Sequence, residues 1–260
     1  MKRMALLIFG MFFVCIPAAP AFRARADGGR IALQCERGAI FAADSCDTAV
    51  LSAVRESEVF YRDIRIGLSG GGARRAQIVP PENGGYNPHI QLVSFDGDTQ
   101  QIFYGADSGG SGGYGFYYVY RAEGGAITRI FSSETFRVPY EARYADQFKI
   151  EVKNTDSGAV SFIDLSARGS EYLSQIYRED GALLRPRGCD IWGVNVAEPF
   201  YINAEKRYGL EIYARITGLY GADAVGTVVM RMKYENGGFA SFFDMTGVYG
   251  AENENYRNMD

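Results

Sequence analysis

The run Asp107-Ser108-Gly109-Gly110-Ser111-Gly112-Gly113 sets a serine between an aspartate and a glycine pair, a context that suits a nucleophilic serine in a secreted protease. A serine hydroxyl is inert at neutral pH unless a base within hydrogen-bond reach takes its proton. His89 is the only histidine and would have to be that base. It lies shortly before Ser108, within Tyr86-Asn87-Pro88-His89-Ile90, and that spacing leaves no room for an intervening barrel or for the third member of a triad. We therefore expect no catalytic serine. Asp107, Ser108 and Ser111 are instead candidate ligand contacts on a multi-glycine turn between strands.

Other catalytic sets are absent from the sequence. There is no Ser-x-x-Lys pair and no H-E-x-x-H helix. Gly67-Leu68-Ser69-Gly70-Gly71-Gly72 lacks the Lys-Ser/Thr that completes a phosphate loop and reads as a hairpin turn. Paired acids such as Glu56 with Glu58, or Asp44 with Asp47, would serve glycoside hydrolysis only if they faced each other across a cleft. A nucleophilic Cys189 would need His89 beside it, and the sequence gives no support for that. No catalytic, cofactor or metal residue is assigned, and the chain reads as a non-enzyme.

The elements that must hold the turn are short strands. β-forming segments recur at 58–68, 89–95, 101–104, 115–121, 126–131, 147–152, 160–165, 209–216, 224–234 and 238–248. Gly70-Gly71-Gly72, Asn83-Gly84-Gly85, Glu123-Gly124-Gly125 and Asn236-Gly237-Gly238 supply residues that tolerate positive φ between them. Helix is expected only at 47–56 and 170–180; in the second, Tyr172, Leu173, Ile176 and Tyr177 fall on one helical face. The aromatic run Tyr114, Phe116, Tyr117, Tyr118 and Tyr120, with Trp192 and Phe200, serves either as core between strands or as a binding surface.

The N-terminus has the form of an export signal. Lys2 and Arg3 precede an apolar run over 4–16, and two small-x-small sites follow, with cleavage expected after Ala26. The segments are then 1–26 as signal peptide, 27–57 as an N-terminal segment and 58–260 as the main domain. Loss of Lys2, Arg3, Arg23 and Arg25, with no acids, moves the formal net charge from −4 to −8. An acidic exported protein is a poor partner for nucleic acid. No later segment is long enough to span a membrane. Thiols in an oxidising compartment tend to pair, so Cys35 and Cys46 are the candidate disulfide, with Cys189 left over.

A weak repetition joins these strands. Val93-Ser94-Phe95-Asp96-Gly97-Asp98 leads into Gln101-Ile102-Phe103-Tyr104-Gly105, and Pro199-Phe200-Tyr201-Ile202-Asn203-Ala204-Glu205 leads into Tyr208-Gly209-Leu210-Glu211-Ile212-Tyr213. With Gly85-Tyr86-Asn87-Pro88, Arg215-Ile216-Thr217-Gly218-Leu219-Tyr220 and Ala222-Asp223, these stretches resemble secreted bacterial proteins of the FG-GAP or VCBS-repeat type. The resemblance implies an all-β, propeller-like fold of about five blades at roughly 45 residues each, with a two-sheet β-sandwich as the alternative. A repeat-built β-scaffold with an export signal and no complete catalytic set points to a non-catalytic binding module, secreted, periplasmic or at the cell surface, with a protein or carbohydrate partner. An extracytoplasmic hydrolase acting on envelope polymer through a carboxylate pair is the second reading, and a purely structural envelope component the third.

Family repeats of this type carry a calcium loop of the form D-x-D/N-x-D-G-x-x-D/E. Here only Asp96 and Asp98 remain of one such loop, and Asn203 and Glu205 of another. Calcium requires roughly six to eight oxygen ligands. We expect added calcium to leave the thermal midpoint unchanged in a melting experiment; a rise of several degrees would show a site that these residues do not disclose.

Overall fold

The computed structural model describes residues 29–71, 74–110 and 112–248, and the expected signal peptide lies outside them. The described chain is all-β, with sixteen strands and one turn of helix. Its strands form one eight-stranded sheet and two four-stranded sheets, all pairings antiparallel, and the described residues make neither a closed barrel nor a propeller.

The first sheet takes β1 (Arg30–Gly38), β2 (Asp47–Arg55), β3 (Phe60–Ser69), β4 (Arg75–Ile78), β5 (Gly84–Val93), β6 (Gln101–Asp107), β7 (Gly115–Glu123) and β8 (Ala126–Ser132), with β4 paired to part of β3. Seven strands in one continuous ladder, with β4 beside β3, do not divide into separate four-stranded blades, so the described sheets do not bear out the expected propeller. The sheet curls on itself. Gln34 in β1 reaches the backbone of Ile90 in β5, donating to its carbonyl at 2.7 Å and accepting its N–H at 2.9 Å. The curl encloses Leu51, Ile64, Ile66, Ile90, Ile102, Tyr104 and Tyr118 as one core.

The segment 47–56, expected as helix, is strand β2. Asp47, Ala49, Leu51 and Ala53 alternate as buried residues along it, and this period of two fixes the pleat more strongly than the helix propensity of alanine and leucine. Asp47 anchors its start by accepting the N–H groups of Ile40 at 3.0 Å and Phe41 at 2.8 Å. The segment 170–180 forms only a single turn of helix, α1 (Ser170–Leu173), before breaking into turns.

The second sheet runs in the order β11 (Val160–Asp164), β10 (Lys149–Asn154), β9 (Tyr140–Ala145), β12 (Gly188–Cys189). The third is β13 (Val196–Ile202), β14 (Arg207–Thr217), β15 (Ala224–Glu235) and β16 (Gly238–Val248) in chain order. These two sheets share a core with the opposite face of the first: Phe103, Tyr117, Val119 and Phe131 meet Ile150, Val152 and Ile163, and Leu210, Ile212, Ile216, Val228 and Met230. Strands β6 and β7 are thus a wall between two cores. That is why their sequences are continuously apolar and aromatic rather than alternating.

Two expected turns form at their glycines. Gly124 and Gly125 (φ +59° and +86°) join β7 to β8, and Asn236 and Gly237 (φ +52° and +84°) join β15 to β16, two-residue hairpins that need positive φ at both positions. Gly84 and Gly85, expected in a turn, lie within β5. A Cβ on Gly85 would come 3.0 Å from the carbonyl oxygen of Asp107, so glycine is needed there for close backbone approach.

The expected Cys35–Cys46 disulfide is not formed; both residues are free thiols. Cys35 stands opposite Val50 in the β1–β2 ladder, while Cys46 precedes β2 at the far end. Four strand residues of about 3.3 Å each separate the two positions, beyond the reach of a disulfide, which needs Cα atoms within about 7 Å.

Among the described residues the buried Tyr104 and Tyr120 hydroxyls have no partner, whereas the Tyr118 hydroxyl donates to Glu134 at 2.6 Å. Tyr118→Phe should therefore cost about 1–3 kcal/mol in chemical denaturation, as expected for loss of a bond to a charged acceptor, and Tyr104→Phe should leave stability unchanged or raised.

Candidate functional site

The glycine turn is a structural joint. Ser108 closes it, with its N–H and its hydroxyl both donating to the carbonyl of Tyr114 at 3.0 and 2.7 Å. Asp107 accepts from the Asn87 amide at 3.0 Å, and Asn87 itself sits at φ +48° in the irregular step between Tyr86 and His89. Gly113, at φ +63°, lies so near Arg215 that a Cβ there would stand 2.9 Å from the guanidinium. Ser111 lies outside the described residues.

His89 pairs with Gly105, and its Nδ1 lies 3.1 Å from the carbonyl of Asn87. The Ser108 hydroxyl is already spent on a carbonyl, so His89 and Ser108 are occupied separately. Cys189 is no better a nucleophile. Burial pushes its thiol up to about 12, the negative charges of Asp190 and Asp223 add to this, and the thiolate is scarce at neutral pH.

The turn is pinned to the third sheet by Asn195, which the sequence did not single out. Its amide nitrogen donates to the carbonyl of Gly112 at 2.9 Å, and its oxygen accepts the N–H of Arg215 at 2.6 Å. A groove of about 450 Å³ opens at this joint, lined by Gly113, Asn195, Val196, Glu198, Tyr213 and Arg215. Asp107 also acts here: burial pushes the Tyr117 hydroxyl up to about 12, and Asp107 and Glu198 add to the shift.

The groove continues onto the outer face of the third sheet, and strand register shows how. The inner face of β14 is Leu210, Ile212, Ala214 and Ile216, all fully buried. Glu211, Tyr213 and Arg215 must then point outward. Cross-strand pairing extends each of these into a row. Arg215 lies beside Thr227 and Gly247; Val196, Tyr213, Val229 and Met245 form the next row; Glu198, Glu211, Arg231 and Phe243 the one after. Phe200 covers Gly209, where a Cβ would approach its ring to 2.6 Å.

A β-bulge completes the face. The β15–β16 register shifts between Arg231, opposite Phe243, and Met232, opposite Ser241, so Phe242 is the extra residue. Phe242 stacks on Phe200 at 6.3 Å and receives the Lys233 ammonium at 4.7 Å, so it too lies on the outer face. Arg231 is held between the rings of Phe200 and Phe243, at 5.3 and 5.6 Å. Phe242, Phe243 and Met245 remain 46–48% exposed.

Two carboxylates stand side by side in the central row. Tyr213 donates its hydroxyl to Glu211 and lies 3.5 Å from Glu198. Arg231 binds Glu211 at 2.5 Å. Burial pushes the Glu211 carboxyl up, but the Tyr213 hydroxyl and the Arg231 guanidinium outweigh it and hold the group below its ordinary value. The same bond to Glu211 pushes Tyr213 up to about 12. This arrangement fixes a carboxylate and a phenol in known protonation states; a general acid would instead need a raised carboxyl.

The other acids raised by the sequence are used internally. Asp96 caps its own turn, accepting the N–H groups of Asp98 and Thr99 at 3.0 and 3.3 Å and the Gln101 amide at 2.9 Å. Glu205 pairs with Arg207 and Lys233. Glu56 lies 3.6 Å from Arg62 on the surface, and Asp44 is exposed while Asp47 is buried. Of the aromatic run, Tyr117, Tyr118 and Tyr120 are core; Trp192 is exposed and Phe200 lies on the outer face.

Two comparisons with known proteins bear on the chain, one of them on the part that carries this face. A family model described as the YybI C-terminal domain matches residues 138–246. The similarity covers β9 to all but the end of β16. Over 196 residues the chain is also 29% identical to a protein named "Uncharacterized protein YybI" from Bacillus subtilis (strain 168), a match spanning 74% of this chain and 75% of that protein. No described helix is long and apolar enough to cross a membrane.

The Glu211 cluster carries a sign that can be tested. A carboxyl held below its ordinary value of 4.5 stabilises the fold above that value, and the contribution is lost as pH falls through the native value. Glu211→Gln should cost about 1–2 kcal/mol at pH 7, with the gap to the parent protein closing as denaturation is repeated at steadily more acidic pH.

Proposed function

We propose that the protein is an exported, non-catalytic binding module whose third-sheet outer face takes a glycan. The observation that carries this is the convergence of Phe200, Phe242 and Phe243 with Glu198, Glu211, Tyr213 and Arg231 on one open face, continuous with the Arg215 groove. Aromatic rings offer flat apolar area to the C–H faces of sugars. Rigid carboxylates and guanidinium groups offer paired acceptors and donors to neighbouring hydroxyls. Because these groups already bind one another, little ordering is needed when a ligand arrives, which lowers the entropic cost of association.

Export is supported by the basic and apolar N-terminal pattern, and the acidic balance argues against nucleic acid as the partner. The absence of catalysis is supported by the engaged Ser108, the distinct position of His89 and the lowered Glu211. The carboxylate-pair hydrolase remains the alternative because Glu198 and Glu211 are direct cross-strand neighbours, whose side chains lie roughly 5 Å apart at Cβ. Both carboxylates reach the Tyr213 hydroxyl, Glu198 at 3.5 Å, whereas a retaining glycosidase sets its two carboxyl groups about 5–5.5 Å apart.

Calorimetric titration with solubilised cell-wall glycan should show binding without release of reducing ends. Phe243→Ala should weaken it about tenfold, the loss of one aromatic contact of roughly 1–1.5 kcal/mol. Release of reducing ends that is abolished in Glu198→Gln would favour the hydrolase, and binding that survives Phe243→Ala unchanged would remove this face from the account.

A further inference from the structure

We propose that the groove at Arg215 takes a carboxylate carried on the glycan, so that the ligand of the third-sheet face is an acidic oligosaccharide. This inference rests on the glycan reading above and adds the chemistry of the ligand's second end. Four basic residues stand on the strands of the third sheet. Arg207 pairs with Glu205 and Glu235, Arg231 with Glu211, and Lys233 with Glu205. Arg215 pairs with no acid among the described residues; its backbone N–H is bonded, but its guanidinium donates no hydrogen bond there.

The fold holds this cation in place and keeps the space before it open. The buried Asn195 accepts the Arg215 N–H at 2.6 Å, and Arg215 itself is half-buried. Gly113 stands against the guanidinium, where a Cβ would come 2.9 Å from Nη2. The row that Arg215 heads runs through Thr227 to Gly247, so neither end of it carries a side chain that could cover the planar fork. The Tyr114 hydroxyl is within reach: burial pushes it up, and the Arg215 charge acts to bring it back down. A half-buried guanidinium has given up part of its hydration, and donors left without acceptors carry a cost that a ligand can remove.

The chemistry selects the occupant. A planar fork of donors matches a carboxylate, which accepts two parallel bonds and carries the opposite charge. Neutral hydroxyls would leave that charge unanswered. A polyanion is disfavoured by Glu198, which lines the same groove, and by Asp190, whose charge reaches Tyr114; both acids are exposed. Arg215 and Glu211 are four residues apart on β14, about 13 Å along the strand, and Phe243 lies in the Glu211 row. The carboxylate and the ring that rests on Phe243 therefore belong to different sugars of one chain.

The test is calorimetric titration of residues 27–260 with peptide-free cell-wall glycan, before and after carbodiimide–borohydride reduction of its carboxylates to alcohols. The untreated glycan should bind about tenfold more tightly than the reduced one, the scale of a single charge-assisted pair, and the gap should narrow as salt is raised. Arg215→Gln should bind both glycans alike, at the parent protein's affinity for the reduced form, while its β14 amides keep their exchange protection and report an intact fold. Reduced glycan that binds the parent protein as tightly as untreated glycan, with both still weakened by Phe243→Ala, would overturn this inference and leave the glycan reading standing. So would a folded Arg215→Gln that keeps the preference for the carboxylate. Failure of either glycan to bind would remove both readings at once.

Discussion

The one-sided burial of β14 and β15 is the constraint on which the rest depends. Leu210, Ile212, Ala214 and Ile216, with Val228, Met230 and Met232, are committed to the core they share with the second sheet and the wall formed by β6 and β7. A slip of one residue would turn all of them to water and bring Glu211, Arg215 and Arg231 inward, at a cost no domain of this size can bear. The register is therefore rigid. Everything on the outer face, from the Arg215 row to the Phe243 row, inherits its position from that burial.

Two local departures shape the face further. The bulge adds Phe242 to the side already occupied by Phe243, turning a polar row into an aromatic platform. Asn195 ties the glycine turn of the first sheet to Arg215 of the third, so the groove has walls from both parts of the fold. Gly109 and Gly113 are required by that joint: each has positive φ, and at each a side chain would collide with Tyr86 or Arg215. The turn that first suggests a nucleophile is thus a clamp, and its serine is a closing bolt.

Much of this was legible in the sequence, for physical reasons that can be named. Strong period-two patterns at 209–216 and 224–234 were read as strands, and the Gly124-Gly125 and Asn236-Gly237 turns announced their hairpins because few other residues tolerate their φ values. Strand β2 was misread because the small and branched apolar residues Ala49, Val50, Leu51, Ala53 and Val54 suit either period. Sheet membership was out of reach: whether β1 to β8 form one ladder or several blades is decided by pairings distant in sequence, which local pattern does not encode. The site residues Glu211, Tyr213, Arg215 and Arg231 carried a usable signal, alternation of polar and aromatic residues against a buried apolar row. The bulge that recruits Phe242, and the reach of Asn195 to Gly112, carried none.

The similarity to the YybI C-terminal domain, over residues 138–246, spans nearly all of the second and third sheets and with them this outer face. The most direct test of the central claim is residue-resolved NMR of residues 27–260 titrated with soluble cell-wall glycan fragments. The account predicts saturable shifts concentrated at Tyr213, Arg215, Arg231, Phe242 and Phe243, with the first-sheet core unmoved. Shifts confined to surfaces outside the third sheet would contradict it.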